Sequence, residues 1–281
     1  MSSQRQVSVA ELKRAWRAVQ DGAYQENQQP CAAEPGPLEA LRCVAGRVIP
    51  VLGCGGGLGA STTALALALA IDAPCRLIDA APRAASGLVG ASTAELGERV
   101  TGWTHGTRER VLIERATEPA RPPGMVPVPH PGDGGFDAII VDVACPPEIL
   151  LGRPSWLRDV VIGGDALVLV TAATVPGIRR LESTLTLLAE HRDPGQTVAA
   201  VLGPGLSRWP KPVRSGLGPR ARRLEQERRV VALPCDRRLA VAGLDTTPLR
   251  PPLLVAAAQV LELLPGTTTF SAPAPKGSTT S

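Results

Sequence analysis

The sequence predicts an α/β fold: a mostly parallel, twisted sheet with helices on both faces. It also predicts a detached N-terminal helix and a disordered C-terminal tail. Three observations point to the sheet. Short apolar runs alternate with helical stretches through residues 47–264, the pattern of strands joined by crossover helices. One run, FDAIIVD at 136–142, is apolar nearly throughout, as a strand buried on both faces must be. A glycine cluster separates the first run from the first buried helix. With 281 residues, 44% of them apolar and 20% charged, the chain can bury a substantial core in one or two domains.

Taken in order, Ser8 and Glu11 form a capping box ahead of Leu12, Ala15, Trp16 and Val19, which share one helical face. Residues 1–21 are therefore expected to form an amphipathic helix. Residues 22–46, rich in Gln, Pro and Gly, are expected to be a linker. RVIPVLG (47–53) is the first strand of the compact body, and Ser61 to Ile71 a buried helix. CRLID (75–79), FDAIIVD (136–142), ALVLVT (166–171), TVAAVLG (197–203) and RVVALP (229–234) are further strands. A helix follows at about 176–192, an Arg-rich, Pro-broken helical stretch comes before the last strand, and residues 252–264 close the domain. Residues 265–281 are expected to be disordered.

Several classes of function are disfavoured. Aromatic residues are only 2% of the chain, too few for a base-stacking platform on single-stranded nucleic acid. The six cysteines, at 31, 43, 54, 75, 145 and 235, form no CxxC pair, so zinc and disulfide frameworks are not expected. Cys54 and Cys145 read as packing residues. His105, His130 and His191 read as loop or helix-end residues without a catalytic role. The start lacks an apolar signal segment and no run is long enough to span a bilayer, so a cytoplasmic location is expected.

The main chemical signal is GCGGGLGASTT at 53–63. A glycine loop before a helix presents backbone N–H groups to an anion, and the helix N-terminus adds partial positive charge. Gly55, Gly56, Gly57, Gly59, Ala60, Ser61 and Thr62 are the candidate cofactor-binding residues. Ser61 would offer its hydroxyl to Mg²⁺, with Asp142 as the acid behind it, so both are candidate metal residues. The phosphate-binding lysine expected in such a loop is replaced by Ala60. Only Lys13, Lys211 and Lys276 exist in the chain; Arg76 and Arg83 are the cations that could substitute. Purely structural roles stay open, with Ser61 as a helix N-cap and Asp142 as a turn cap. A second chemistry fits the same loop. Gly55 to Ala60 match G-x-G-x-x-G/A, and Asp79 lies 20 residues after Gly59, the spacing of an NAD(P)-binding Rossmann unit with its ribose-binding acid.

The loop resembles the deviant Walker A motif of the ParA/MinD family of P-loop ATPases. Gly56, Gly57, Gly59, Ser61 and Thr62 match that motif, while Gly55 stands at its signature lysine and Ala60 at its phosphate lysine. The Gly-Ala-Ser-Thr ending is similar to the atypical branch of CpaE/TadZ and actinobacterial septum-site (Ssd-like) proteins. Asp79 and Pro82 resemble the family's switch segment, with Ala81 at its second acid; Asp142 resembles the Walker B acid. ALPCDRRLAVAG resembles the segment beside the base, whereas Gly203 stands where an adenine-reading asparagine is usual. The resemblance implies a P-loop NTPase-like fold and ATP or ADP with Mg²⁺, bound weakly or not at all. It further implies a pseudo-ATPase or very weak ATPase acting as a positioning or regulatory scaffold. The alternative within the family is an active ATPase with an atypical Walker A loop, used in partitioning, septum or pilus placement. A homodimer is also implied.

Residues 208–238 carry ten basic against three acidic groups, net +7, against +4 for the whole chain. Arg208, Lys211, Arg214, Arg220, Arg222, Arg223, Arg228 and Arg229 are the candidate DNA-binding residues, suited to phosphate contacts without sequence reading. A solvated helix face is the plainer use of the same charges. The 8–21 helix is a candidate for binding a protein partner in helix-in-groove fashion. The tail has no amphipathic helix for direct membrane insertion.

Overall fold

A computed structural model describes residues 36–45, 47–82, 86–100, 102–117, 122–132 and 134–265. The expected helix at 8–21 and all but the first residue of the tail lie outside them. Nine strands are described: β1 (Val48–Gly53), β2 (Cys75–Asp79), β3 (Ala94–Val100), β4 (Trp103–Arg108), β5 (Val111–Ala116), β6 (Ala138–Asp142), β7 (Leu167–Ala172), β8 (Thr197–Leu202) and β9 (Val230–Leu233). They form one sheet in the order β3-β4-β5-β2-β6-β1-β7-β8-β9. Among them only β4 runs against the rest. The mostly parallel α/β fold expected from the sequence is therefore present.

The central strands β1, β2, β6, β7 and β8 are buried along nearly their whole length, which is why, apart from Arg76 in β2 and the acids ending β2 and β6, they read as apolar runs. Alternate residues feed two cores. On one face Ile49, Val51, Leu77 and Ile140 pack against α2 (Ala60–Ala70) and the C-terminal helix Pro251–Leu263. On the other face Val48, Leu52, Ile139 and Val141 pack against α1 (Pro37–Ala45), α4 (Trp156–Gly163) and α5 (Val175–Leu188). Between β6 and α4 lies the short α3 (Pro147–Leu151). α6 (Lys211–Ser215) and α7 (Pro219–Gln226) lie between β8 and β9, and α8 (Arg237–Ala242) follows β9. The C-terminal helix is α9.

Two boundaries differ from the sequence reading. The segment assigned to the 22–46 linker holds α1, whose Leu41 is fully buried. Arg42 ties α1 to the end of α4, donating to the Gly163 carbonyl at 2.8 Å and pairing with Asp165 at 2.7 Å. The body thus begins by Pro37, ten residues before the expected start. The chain between β2 and β6, left without elements in the sequence reading, supplies β3, β4 and β5.

His105 departs from its expected loop position. It lies buried on β4, its Nε2 3.1 Å from Glu114 Oε1. Glu114 in turn accepts from Arg76 Nε at 2.8 Å. This buried cluster fastens β4, β5 and β2 together.

Candidate functional site: the glycine loop at the strand ends

The carboxyl ends of β1, β6, β8 and β9 converge on a cavity of about 700 Å³. Ligand sites in open parallel sheets form at such strand ends. Its polar floor is the loop Gly55–Gly59 with Ala60, Ser61 and Thr62 at the start of α2. Leu202, Leu233, Pro234, Leu239, Ala240 and Leu253 make an apolar wall. Asp142 and Asp236 also line it, and among the described residues no lysine or arginine does.

The loop is built for its backbone. Gly57 and Gly59 have φ +69° and +85°, the left-handed region where glycine carries no Cβ penalty. A Cβ at Gly56 would meet open space. Cys54 N–H is spent on the Val170 carbonyl and Thr63 N–H on the Gly59 carbonyl. Between them the chain makes one hydrogen-bonded turn at Gly56–Gly57, which takes the Leu58 N–H; among the described residues, the other N–H groups from Gly55 to Thr62 donate to no protein acceptor. Ser61 does not cap α2, because Gly59 holds the N-cap position without a side-chain bond.

Asp142 and Asp79 end neighbouring strands in register, with Arg115 of β5 beside Asp79 in the same row. Both carboxylates are completely buried. Asp79 is well held: it accepts from Ala81 N–H at 2.9 Å and from the Ser86 hydroxyl. Burial raises its carboxyl above the usual range, and Ser86, Ala81 N–H and Arg115 oppose that rise. Neither Asp142 oxygen has a hydrogen bond of ordinary geometry. Burial first, then the Asp79 charge, lifts its carboxyl well above the usual range; the Ser61 hydroxyl and Ala144 N–H lean toward it and offset only part of the rise. The chain turns sharply after this strand, with Ala144 at φ +46°.

The structure thus gathers Gly55, Gly56, Gly57, Gly59, Ala60, Ser61, Thr62 and Asp142 around one cavity. Asp79 is not among the lining residues. Its carboxylate is committed to the segment after β2, which removes it as a ribose ligand in this geometry. Gly87 of that segment sits against Ser61, where a Cβ would come within 2.9 Å of the serine Cβ. Arg76 cannot replace the missing lysine: it is buried against Glu114 and donates to the carbonyls of His130 and Pro131. Arg83 lies outside the described residues. Sequence reasoning also missed the cavity's cysteines: Cys145 and Cys235 both line it.

The basic segment occupies α6, α7 and the turn into β9, toward one edge of the sheet. Arg223 and Arg229 pair with Glu227. Arg208, Lys211, Arg214, Arg220, Arg222 and Arg228 are exposed and pair with no carboxylate among the described residues. No helix among the described residues is long and apolar enough to cross a membrane.

No protein-family model matches this sequence, and no curated protein matches it. Solved structures do show similarity. A plasmid partition protein of Borrelia burgdorferi B31 bound to AMPPNP is 12% identical with a TM-score of 0.48, over 77% of this chain and 97% of that one. The cell division ATPase MinD of Pyrococcus furiosus is 17% identical with a TM-score of 0.47, over 77% and 98%. The MinC:MinD cell division complex of Aquifex aeolicus gives 16% and 0.48, over 80% and 100%. These neighbours are proteins of the ParA/MinD kind; the present chain resembles them in its arrangement of strands and helices.

Proposed function

We propose that this protein is a ParA/MinD-like nucleotide-binding protein with a degraded loop, acting as a positioning or regulatory scaffold and not as an efficient ATPase. The observation that carries the reading is the set of unspent N–H groups between Gly55 and Thr62, all but that of Leu58. Such a nest attracts phosphate oxygens, and the apolar wall opposite suits a base. The unpartnered Asp142 carboxylate marks where a cation fits. Ser61 would hold Mg²⁺ through its hydroxyl, with Asp142 behind it, and the ion would neutralise phosphate charge. Against turnover stand Ala60, Gly55 and Ala81, which remove charged groups from a reaction that depends on positioning and charge neutralisation. A charged hydrogen bond contributes about 1.5–3 kcal/mol, so loss of the lysine alone weakens triphosphate binding by about 10–100-fold. The unpaired arginines of α6 and α7 support a weak, sequence-independent association with DNA.

Gly56→Asp tests the site. It needs no left-handed backbone and meets no neighbour, so the fold should be kept while phosphate is repelled. The wild-type melting temperature should rise with Mg²⁺ and ADP or ATP, that of the variant should not, and phosphate release should stay near background. An equal shift in both proteins would move the site elsewhere, and robust turnover lost in Asp142→Ala would make the chain an active ATPase.

A further inference from the structure

We infer that Arg180 is the cation that pairs with a phosphate on the glycine loop. This rests on the nucleotide reading above and identifies a binding residue in it.

The cavity has a charge problem. Among the described residues its lining includes two carboxylates and no basic side chain. A nucleoside diphosphate or triphosphate would add further negative charge. Backbone donors carry only partial positive charge, so a bound polyphosphate gains from a full protein cation near the loop besides the Mg²⁺.

Arg180 is placed to supply it. It lies on the second turn of α5, whose N-cap is Thr174. A Cβ built on Gly55 would stand 3.0 Å from Arg180 Nη1 and 3.2 Å from its Cδ. The arginine therefore lies across Gly55, flanked by Leu58, whose Cδ1 is 3.3 Å from the same point. Glycine at position 55 leaves the room this side chain occupies; a larger residue there would require the guanidinium to shift. Arg180 is exposed and, among the described residues, makes no ion pair or hydrogen bond. Arg42, Arg76 and Arg238, by contrast, are committed to Asp165, Glu114 and Asp245. Arg180 thus combines contact with the loop, an uncommitted guanidinium and the reach to turn its five donors on an anion. A cation lost from positions 55 and 60 is restored from a helix more than a hundred residues later.

The test is calorimetric titration of the full chain with ADP, inorganic pyrophosphate and adenosine. Arg180→Ala should weaken ADP and pyrophosphate by about 10–100-fold, the size of one charge-assisted hydrogen-bonded contact. Adenosine affinity should be unchanged, and so should the melting temperature without ligand. Arg180→Lys should retain part of the affinity, and the neighbouring Arg179→Ala all of it. If wild type binds ADP and Arg180→Ala binds it within twofold, Arg180 has no such role while the nucleotide reading stands. If wild type binds neither ADP nor pyrophosphate, both fall together.

Discussion

Replacing Asp142 by asparagine should remove a pH-dependent loss of stability. Asp79 and Asp142 sit opposite each other on adjacent strands, in register and on one face. Neighbouring strands lie about 5 Å apart. Two unit charges at that distance repel by about 3 kcal/mol at an effective dielectric constant near 20, equivalent to about two pKa units. Burial raises the Asp79 carboxyl too, but Ser86, Ala81 N–H and Arg115 oppose that rise, so Asp79 ionises before Asp142. Asp142 has only the Ser61 hydroxyl and Ala144 N–H leaning toward it, without a hydrogen bond of ordinary geometry, and is pushed up to about 7, so it holds its proton longer. Its folded-state pKa therefore lies above its unfolded value. Between those two values the folded chain binds more protons than the unfolded one, so stability falls as pH rises. The contribution is fully present below the unfolded value and lost as pH passes the raised folded value. Urea denaturation of the ligand-free wild type should show stability falling between about pH 4 and about pH 7, with about 3 kcal/mol of the loss due to the Asp79 repulsion. In Asp142→Asn that component should vanish. The amide still leaves an unpaired buried polar group, which costs about 1–3 kcal/mol at every pH and shifts the curve without tilting it. Parallel pH curves for the two proteins would refute the reasoning.

Arg228 is at φ +57° just past α7, where Arg229 N–H bonds back to the Leu224 carbonyl and Arg228 N–H to that of Glu225; glycine is the usual residue there, so Arg228→Gly should raise stability by about 0.5–1 kcal/mol in the same denaturation assay. Leu41→Ala should destabilise by about 2–5 kcal/mol, since Leu41 is fully buried; a neutral result would return residues 37–45 to a linker. Duplex DNA binding should fall with salt at a log–log slope of roughly −3 to −5. Alanine at Arg214, Arg220, Arg222 and Arg228 together should flatten that slope for all duplexes alike, and absent binding at low salt would leave these residues as a solvated face.

The glycine loop, β1, β2, β6, β7 and β8 were legible from sequence because each is a local pattern. A parallel strand buried on both faces must be apolar along its length, and a backbone anion nest needs consecutive glycines before a helix. Asp142 stood out for the same reason, as a charge ending an apolar run. The elements that escaped notice hide their signal in distant partners. β5 carries Glu114 and Arg115 inside the sheet, tolerable only because Arg76 and His105 reach the one and Ser92 and Glu95 the other. In α1, Leu41 is buried on a short helix that follows a Gln- and Pro-rich stretch, so composition masked a core contact. The roles of charged residues were decided by strand order and helix placement. Asp79 looked like a ribose ligand by its spacing and is instead locked beside Asp142. Arg76 looked like a spare cation and is spent on Glu114. Arg180 carried no local signal and lies on the loop because α5 follows β7, the strand paired directly with β1. Local periodicity determines which segments become strands and helices; which charges meet depends on which segments become neighbours, and that is set only when the sheet assembles.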